Sequence, residues 1–505
     1  MWSTSKLMPL ADLAEVLAAA RAAGRRVVQC HGCFDLLHIG HIRYLQKAAK
    51  LGDVLVVTVT PDRFVNKGPH RPAFPEALRA EALAALDCVD YVAINEWPTA
   101  VECLALLRPH LYAKGAEFRD NRTPEIIREE AALAELGGEI AYIEDLTSSS
   151  SRLLNELLSP FPEEVDRYLD ELGERYGAGG ILPWVEEAQP LRALVVGETI
   201  IEEYHHCETL QRSAHAPVLA VRYLSHERFL GGAGNVANHL AGFCGEVGLL
   251  TLVGSEPAEA AWLQSQLRDN VTPLLLRRED SPTLTRRQYR ESYFAQPLLE
   301  YYLMNEEPLA EADDRLLGRR LAEALPNYDL VVVADYGHAL LTPAAIEALC
   351  AGARHLTVNT QVDAANLGYH SVGRYPRADY VTLAEQELRL ECRSREEDCG
   401  AMVAAVAQRL CASRAIAMRG GRGCVGYGPE EGLHEAPALA VKVVDRAGAT
   451  DAFLAITALC AARGAPLDVT CFLGNVAGAE AVATVGTREP LGRLSLRRHV
   501  ETLFK

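Results

Sequence analysis

The stretch His31-Gly32-Cys33-Phe34-Asp35-Leu36-Leu37-His38-Ile39-Gly40-His41 decides how the first part of this chain folds. It follows the apolar run 27–30, which is typical of a buried strand, and it precedes an amphipathic segment that predicts a helix. A strand that ends in a glycine-containing turn and re-enters a helix leaves backbone N–H groups at the helix start, where a phosphate can bind. The spacing of His38 and His41 puts both imidazoles on one face of the first helical turn. The pattern therefore predicts a nucleotide-binding site.

Two histidines near a helix start are also compatible with a surface or metal-binding role. In its strand, turn and helix context, however, the stretch resembles the signature of the HIGH-motif nucleotidylyltransferase superfamily, in its cytidylyltransferase-like branch. This resemblance implies that His38 and His41 are catalytic. It also implies nucleotide or phosphate binding by Gly32, Cys33, Phe34, Asp35 and Gly40.

Composition limits the number of domains and the classes of partner. A chain of 505 residues predicts two to four domains at ~100–200 residues each. The formal net charge of −18 argues against a nucleic-acid partner and against an anionic membrane surface. The 13 cysteines are scattered along the chain, and no long apolar run occurs, so we expect a soluble cytoplasmic protein.

Strand and helix patterns alternate after the motif. The apolar, β-branched run 53–60 is typical of a parallel strand covered on both faces, and similar runs recur at 91–94, 111–114 and 140–143. This alternation predicts an α/β, doubly wound, Rossmann-like domain over residues 1–157. A helix is expected over 75–86, in which Arg79 either adds to the phosphate-binding charges or is only a surface charge.

Further residues of this domain match the superfamily pattern. By resemblance, Lys67 is a catalytic residue in a basic loop, and a run of hydroxyl residues before a predicted helix holds the triphosphate. A solvated loop and a plain helix cap are the alternatives. The phosphate-binding residues implied in this way are Arg71, Lys114, Gly115, Ser149, Ser150 and Ser151.

The chemistry implied is attack by a phosphate oxygen of the substrate on the α-phosphorus of ATP or CTP, with pyrophosphate leaving in line. Positioning and charge neutralisation supply most of such catalysis, with Mg²⁺ as the expected cofactor and its ligands unknown.

Residues 158–189 contain prolines, a charged helical segment and a glycine cluster, which predict a linker with its own helix. A second α/β domain is predicted over 190–505. Its Gly-rich turn at 231–235 and the downstream segment 445–454 together resemble the ribokinase (PfkB) family of sugar kinases. The resemblance implies a ribokinase-like fold with Asp451 as catalytic base. It implies phosphate binding by Gly448, Ala449 and Thr450, and sugar binding by Glu198, Glu202, Gly231, Gly232, Asn235 and Asp335.

The second domain departs from the family pattern at ligand-facing positions. Thr450 replaces a glycine, Ala384 an asparagine and His338 a lysine, while Glu198 and Glu202 stand where aspartates are usual. An active kinase and an inactive, ligand-binding relative both remain open. The polar segment 358–369 indicates either a different ligand or a solvated loop.

Together the two halves resemble the bifunctional heptose 7-phosphate kinase/heptose 1-phosphate adenylyltransferase family of ADP-heptose biosynthesis, with the order of the domains reversed. This implies a sugar 1-phosphate substrate, with a heptose favoured, and a nucleoside triphosphate whose base is undetermined. The alternative is a cytidylyltransferase for a phospho-alcohol such as glycerol 3-phosphate, fused to a pseudokinase. Because ribokinase-like folds often dimerise, we expect a homodimer or a higher homo-oligomer.

Overall fold

The computed structural model describes residues 6–65, 72–116, 119, 124–143, 161–213, 216–293, 295–363, 366–367 and 370–504. The chain divides into two compact units, residues 1–160 together with residue 505 (unit 1) and residues 161–504 (unit 2). No helix among these described residues combines the length and the apolar character that a membrane span requires.

Unit 1 is a five-stranded sheet with helices on both faces. All of its strands run parallel, in the order β3-β2-β1-β4-β5. Its elements are α1 (Leu10–Ala22), β1 (Val27–Gly32), α2 (Ile39–Ala49), β2 (Val54–Val59), α3 (Glu76–Ala84), β3 (Tyr91–Ile94), α4 (Val101–Leu107), β4 (Leu111–Gly115), α5 (Pro124–Glu135) and β5 (Glu139–Ile143).

The core of unit 1 has two layers because neighbouring strand residues point to opposite faces of the sheet. Val28 and Cys30 of β1 pack on the side of α2 and α3, whereas Val27 packs on the side of α1 and α4. Since both faces are covered, the β2 run is buried at every position. The predicted doubly wound class is confirmed.

Unit 2 contains a nine-stranded sheet in the order β10-β9-β6-β13-β14-β15-β16-β17-β18. Its strands are parallel from β10 to β16 and antiparallel from there to β18. These strands are β6 (Arg192–Gly197), β9 (Glu246–Val253), β10 (Val271–Arg277), β13 (Leu330–Asp335), β14 (Leu356–Thr360), β15 (Tyr380–Ala384), β16 (Arg414–Met418), β17 (Cys424–Gly428) and β18 (Gly432–Ala436).

A second, four-stranded sheet has the order β12-β11-β7-β8 and follows directly from the end of β6. It consists of β7 (Thr199–Arg212), β8 (Leu219–Gly232), β11 (Thr285–Glu291) and β12 (Pro297–Leu303). We call this sheet the lid sheet.

The helices of unit 2 cover both faces of the large sheet. They are α6 (Glu163–Arg175), α7 (Gly177–Ile181), α8 (Pro183–Glu186), α9 (Ala233–Ala241), α10 (Pro257–Ser265), α11 (Glu311–Ala324), α12 (Pro343–Gly352), α13 (Glu385–Cys392), α14 (Cys399–Arg409), α15 (Ala449–Ala462), α16 (Leu467–Val482) and α17 (Arg493–Leu503).

The segment predicted as a linker, 158–189, differs from expectation where the structure describes it. Helix α6 is present, but Val165, Leu169 and Leu172 on its apolar face are buried in the main core of unit 2, together with Ile181 and Val185. From residue 161 onward the segment is therefore part of unit 2 rather than a separate connector. The apolar stripe of α6 needs a partner surface, and the core of unit 2 provides it.

Candidate active sites

The histidine motif of unit 1 lies at the point where the strand order reverses. From β1 the chain continues to β2 and β3 on one side of the sheet, and β4 and β5 lie on the other side. Parallel α/β sheets bind ligands outside the carboxyl ends of their strands at such a point. The turn after Gly32 and the start of α2 both lie there.

Both motif histidines are held in fixed orientations at the N-terminus of α2. His38 is the N-cap residue, and its Nδ1 accepts the backbone N–H of Gly40 at 3.1 Å. His41 directs Nδ1 at the carbonyl oxygen of Leu36, 3.1 Å away, so this nitrogen carries the proton and donates. The ring centroids are 4.0 Å apart. A Cβ on Gly40 would lie 2.8 Å from Cε1 of His38, which explains the glycine between them.

The turn between β1 and α2 is compact and strained. Phe34 has a φ of +47°, which is uncommon for an aromatic residue, and its buried ring packs edge-on against His41. Asp35 accepts the backbone N–H of Ala73 at 2.5 Å, which ties the turn to the loop before α3. Backbone strain that the surroundings maintain in this way is typical of ligand-binding turns.

The surface-charge alternative for Arg79 is wrong. The residue is 1% exposed and lies beneath the motif turn. Its guanidinium donates to the carbonyl oxygens of Cys33, Phe74 and Thr60 and forms an ion pair with Asp62 at 2.6 Å. Because these acceptors lie in the β1–α2 turn and at both ends of the connection between β2 and α3, Arg79 fixes their relative positions around the carboxyl edge of the sheet.

Lys114 lies at the end of β4, on the strand that pairs with β1. Its ammonium group is 3.0 Å from Oε2 of the buried Glu129 and lies over the ring of Tyr112. Burial, and next the charge of Lys114, lower the pKa of His31 to about 3, so the His31 imidazole is neutral at physiological pH. The ring nitrogens of His31 contact the hydroxyls of Thr58 and Thr60, at 3.0 and 3.3 Å.

Gly115 follows Lys114 at the same strand end. The other predicted phosphate ligands of unit 1, Lys67, Arg71, Ser149, Ser150 and Ser151, lie outside the described residues.

In unit 2 the corresponding position is the reversal between β6 and β13, since β9 and β10 lie on one side of β6 and β13 to β16 on the other. Asp451, in the first turn of α15, is buried there. Its Oδ2 accepts from Nδ2 of Asn235 at 2.9 Å, and its Oδ1 accepts from the hydroxyl of Tyr336 at 2.8 Å and from Nε2 of Gln361 at 3.3 Å. Burial raises the pKa of Asp451, while these hydrogen bonds oppose the rise.

The predicted sugar ligands Glu202, Gly231 and Gly232 lie together where the lid sheet meets α9. A Cβ on Gly231 would lie 2.8 Å from Cγ of Glu202, and Gly232, at φ +60°, would place a Cβ 2.4 Å from the carbonyl oxygen of Glu198. Glu202 forms an ion pair with Arg286 at 2.7 Å. Burial raises the pKa of Glu202 to about 7, although Arg286 opposes the rise.

Glu198 contacts the protein backbone with both carboxylate oxygens, which accept the N–H groups of Tyr336, His338 and Leu340. It thereby fixes the loop that follows β13. Burial, and next the charge of Asp335, raise the pKa of Glu198.

Asp335 is fully buried. Its carboxylate accepts the hydroxyl of Tyr375 at 2.6 Å and the N–H of Gly337 at 3.1 Å, and it lies 3.2 Å from Nε2 of His370. These partners occupy both oxygens with protein groups, so the role of Asp335 as a direct sugar ligand stays a prediction.

Gly448 is the N-cap of α15 at φ +76°, and Ala449 and Thr450 form the start of its first turn. The N–H groups of this turn have no acceptor within the helix, which suits an anion. A Cβ on Gly448 would lie 2.8 Å from Cγ2 of Thr487. Thr450 lies in this turn, half-buried, where the family pattern has glycine.

The described side chains contain no group of three or more histidine, cysteine, aspartate or glutamate residues able to hold the expected Mg²⁺. A protein-built Mg²⁺ cage does not fit them. Mg²⁺ commonly binds through substrate phosphates with few protein carboxylates, so a metal ion would enter with the nucleotide.

Three residues of these sites were not singled out as ligands from the sequence. Arg286 binds Glu202, and Tyr336 and Gln361 bind Asp451. Gln361 directly follows the buried strand β14, and a polar residue at the carboxyl end of a parallel strand was a usable signal. The solvated-loop alternative for the segment 358–369 is wrong for its first four residues, because residues 358–360 are buried in β14 and Gln361 contacts Asp451.

Two protein families match this chain. Residues 30–154 match the family described as cytidylyltransferase-like, and residues 191–493 match the family described as pfkB family carbohydrate kinase. Among curated proteins, the bifunctional protein HldE of Trichlorobacter lovleyi is 39% identical over 171 residues, which are 34% of this chain and 33% of that protein. HldE of Pelobacter propionicus is 42% identical over 151 residues, 30% of each chain.

The chain thus spans about a third of the length of the curated relatives that it matches. Among solved structures, the tetrameric inhibited form of phosphofructokinase-2 from Escherichia coli aligns with a TM-score of 0.51 and 15% identity, covering 62% of this chain and all of that one. The potassium complex of the same enzyme aligns with a TM-score of 0.51 and 17% identity, with the same coverage. At these identities the similarity shows the ribokinase-like fold alone, and the expected fold class is confirmed.

Proposed function

Because the chain belongs to the pfkB family of carbohydrate kinases and also carries a cytidylyltransferase-like unit, we propose that it is a nucleotidylyltransferase for a sugar 1-phosphate. The observation that carries the proposal is the pair of imidazoles at the N-terminus of α2, 4.0 Å apart at the reversal point of the sheet. A triphosphate there would meet ring nitrogens, the helix N–H groups and the positive end of the helix dipole.

The reaction needs no covalent enzyme intermediate. The sugar phosphate oxygen attacks the α-phosphorus of the nucleoside triphosphate, the bond to the bridging oxygen breaks, and pyrophosphate leaves. The task of His38 and His41 is to neutralise charge that builds up on the phosphate oxygens. Their fixed orientations suit this task, because a donor already aimed at the developing charge loses little entropy during the reaction.

A heptose 1-phosphate is the favoured substrate. The resemblance of the two halves to the heptose 7-phosphate kinase/heptose 1-phosphate adenylyltransferase family supports it, and the match to relatives described as bifunctional agrees with two active units. A phospho-alcohol such as glycerol 3-phosphate, with CTP, is the alternative. The presence of a carbohydrate-kinase unit in the same chain favours the sugar.

Pyrophosphate release tests the proposal. The full chain is incubated with each nucleoside triphosphate and a panel of sugar 1-phosphates and phospho-alcohols, and pyrophosphate and the nucleotide product are quantified. His41→Ala is expected to lower the rate by about 10²–10³, the effect of removing one transition-state donor. His110→Asn is the matched control, because His110 accepts the N–H of Val27 at the opposite end of β1. Equal rates in both variants, or no turnover with any pair, would refute the proposal.

A second candidate function is phosphorylation of a sugar by unit 2. Asp451 supports it, because a buried carboxylate at a helix N-terminus is suited to act as the base for a sugar hydroxyl. The three protein donors on Asp451 and the departures at Thr450 and His338 leave an inactive, ligand-binding unit as the alternative. ATP consumption that depends on an added sugar and disappears in Asp451→Asn would establish the kinase. Unchanged consumption in that variant would exclude Asp451 as its base.

A further inference from the structure

A buried ion pair lies at the edge of the unit 1 sheet where β4 ends. It joins the ammonium group of Lys114 to Oε2 of Glu129 at a distance of 3.0 Å. The two side chains are only 11% and 5% exposed. Glu129 lies in the middle of α5 and belongs to none of the motifs described above, so its contacts have to show what it does.

Hydrogen bonds from two other elements hold the Glu129 carboxylate in place. Its Oε1 accepts the backbone N–H of Ala100, the N-cap residue of α4, at 3.3 Å. Its Oε2 accepts the hydroxyl of Tyr112 in β4 at 3.0 Å, in addition to its contact with Lys114. Because these donors belong to a helix and to the sheet, the carboxylate is a fixed acceptor, and it fixes the tip of Lys114 in turn.

The pair lies beside the histidine motif. Strand β4 is hydrogen-bonded to β1, whose end leads into the motif turn, and the sheet order reverses at these two strands. Tyr44 of α2 donates its hydroxyl to the carbonyl oxygen of Ala113 at 2.6 Å, which ties the end of β4 to the motif helix. After burial, the charge of Lys114 is the next cause that lowers the pKa of His31, so this charge acts on the start of the motif.

A buried ion pair is a weak source of stability, since an apolar pair of the same volume often stabilises a protein equally well. At this place its value is electrostatic. Without a counter-charge, burial favours the neutral amine of a lysine over the ammonium, and Glu129 provides that counter-charge. An ammonium group has three N–H donors, so Lys114 can donate to Glu129 and to a phosphate oxygen at the same time.

We propose that Glu129 is a positioning residue for nucleotidyl transfer, which keeps the Lys114 ammonium charged and fixed beside the phosphate groups of the nucleotide. This inference rests on the proposed function of unit 1. Lys114 then neutralises charge that builds up on the phosphate oxygens while pyrophosphate leaves. Glu129 itself touches no substrate and exchanges no proton, because it acts through Lys114.

Pyrophosphate release by the full chain tests the proposal. Glu129→Gln keeps the shape of the side chain and removes its charge, so kcat should fall about 10- to 100-fold, the value of one hydrogen bond to a charged group. The KM for the nucleoside triphosphate should change little, because the charge that Lys114 neutralises develops in the transition state. Hydrogen exchange of the β1 amides verifies that each variant is folded at the assay temperature.

Glu130→Gln is the matched control. Glu130 is the next residue of α5 and accepts the hydroxyl of Tyr142 at 2.7 Å, so the same charge is removed from the same helix. Its kcat should stay close to that of the wild type.

A double-mutant cycle separates positioning from a purely structural role. Because Glu129 acts through Lys114, the double variant Lys114→Met/Glu129→Gln should be only as slow as Lys114→Met alone. This double variant removes both charges and leaves no buried charge without a partner, so it is expected to fold.

Equal kcat values in Glu129→Gln and Glu130→Gln would overturn the proposal, and so would losses that add in the double variant. If the wild type releases no pyrophosphate with any substrate pair, the proposed function fails, and calorimetric titration with pyrophosphate and Mg²⁺ decides the role of Glu129. Weaker binding in Glu129→Gln than in Glu130→Gln would support it, whereas equal affinities or no binding would overturn it. Pyrophosphate bound by unit 2 is common to both variants and cancels in the comparison.

Discussion

Replacing Arg79 with methionine is expected to destabilise unit 1 strongly while leaving the surrounding packing in place. Methionine fills much of the space of the arginine stem but provides no donors. The carbonyl oxygens of Cys33, Phe74 and Thr60 then lose charge-assisted hydrogen bonds. Each is worth roughly 1.5 kcal/mol, the lower end of the usual range, because water can enter beside Asp62, which is 41% exposed. The expected loss in the free energy of unfolding is about 4–5 kcal/mol.

Hydrogen exchange of β1 and β2 amides, followed by mass spectrometry, measures this loss within unit 1. A decrease of about 4–5 kcal/mol corresponds to exchange about 10³-fold faster. Arg79→Lys should lose most of the same stability, because the lysine ammonium lacks the planar guanidinium group that donates to three acceptors at once. Arg43→Met, on the exposed side of α2, is the control and should change the free energy by less than about 0.5 kcal/mol. Exchange in Arg79→Met within a few-fold of the wild type would refute the reasoning.

Three further predictions concern a buried ion pair, a glycine and a buried acid. Glu129→Ala should lower the free energy of unfolding of unit 1 by about 3–5 kcal/mol, because it removes the buried counter-charge of the Lys114 ammonium. Tyr112→Phe removes one hydrogen bond to Glu129 and should lower it by about 1 kcal/mol. Denaturant unfolding measures both losses, and equal losses would contradict this prediction. Gly448→Ala should lower the melting temperature more than Gly464→Ala. Both glycines have a positive φ, but only at Gly448 would a Cβ meet a neighbour, Cγ2 of Thr487 at 2.8 Å. Equal shifts in melting temperature would show that this contact relaxes without cost. Burial raises the pKa of Glu387 to about 7, although hydrogen bonds from two backbone N–H groups oppose the rise, so the folded state binds this proton more tightly than the unfolded state does. The resulting contribution to stability is present below pH 4.5 and is lost as the pH rises to 7, by at most about 3 kcal/mol. Glu387→Gln should flatten this part of the plot of stability against pH, and an unchanged slope would contradict the raised pKa.

Local sequence was sufficient for the class and order of the two units. The β2 run has apolar residues at nearly every position because both faces of a parallel strand are covered, and this requirement is visible in the sequence. The turn from Gly32 to Asp35 follows from neighbouring residues as well, whereas His38 was expected in the first helical turn and is the N-cap residue of α2 instead. The Gly-rich turn at 231–232 was also informative, since a close approach of the Glu198 backbone demands glycine there.

Partners that are distant in sequence could not be predicted in the same way. Arg79 is charged and lies on a helix, which favours an exposed position, but three loop carbonyls that converge beneath the motif turn stabilise it in the interior. The helix α6 could be read from its pattern, whereas the surface that covers its apolar face could not. Likewise, the hydrogen bonds from Asn235, Tyr336 and Gln361 to Asp451 join four separate segments.

By itself the sequence determined the histidine pair at a helix start, the glycines at tight approaches and the alternation of strands and helices. Each of these depends on bonds or periodicities that span a few residues. Only the tertiary structure decided which charges are buried and what neutralises them: Lys114 by Glu129, Glu202 by Arg286, and Glu198 by the N–H groups after β13. The physical reason is that the free energy of a buried charge depends on groups brought within a few ångströms by the fold, at any distance along the chain.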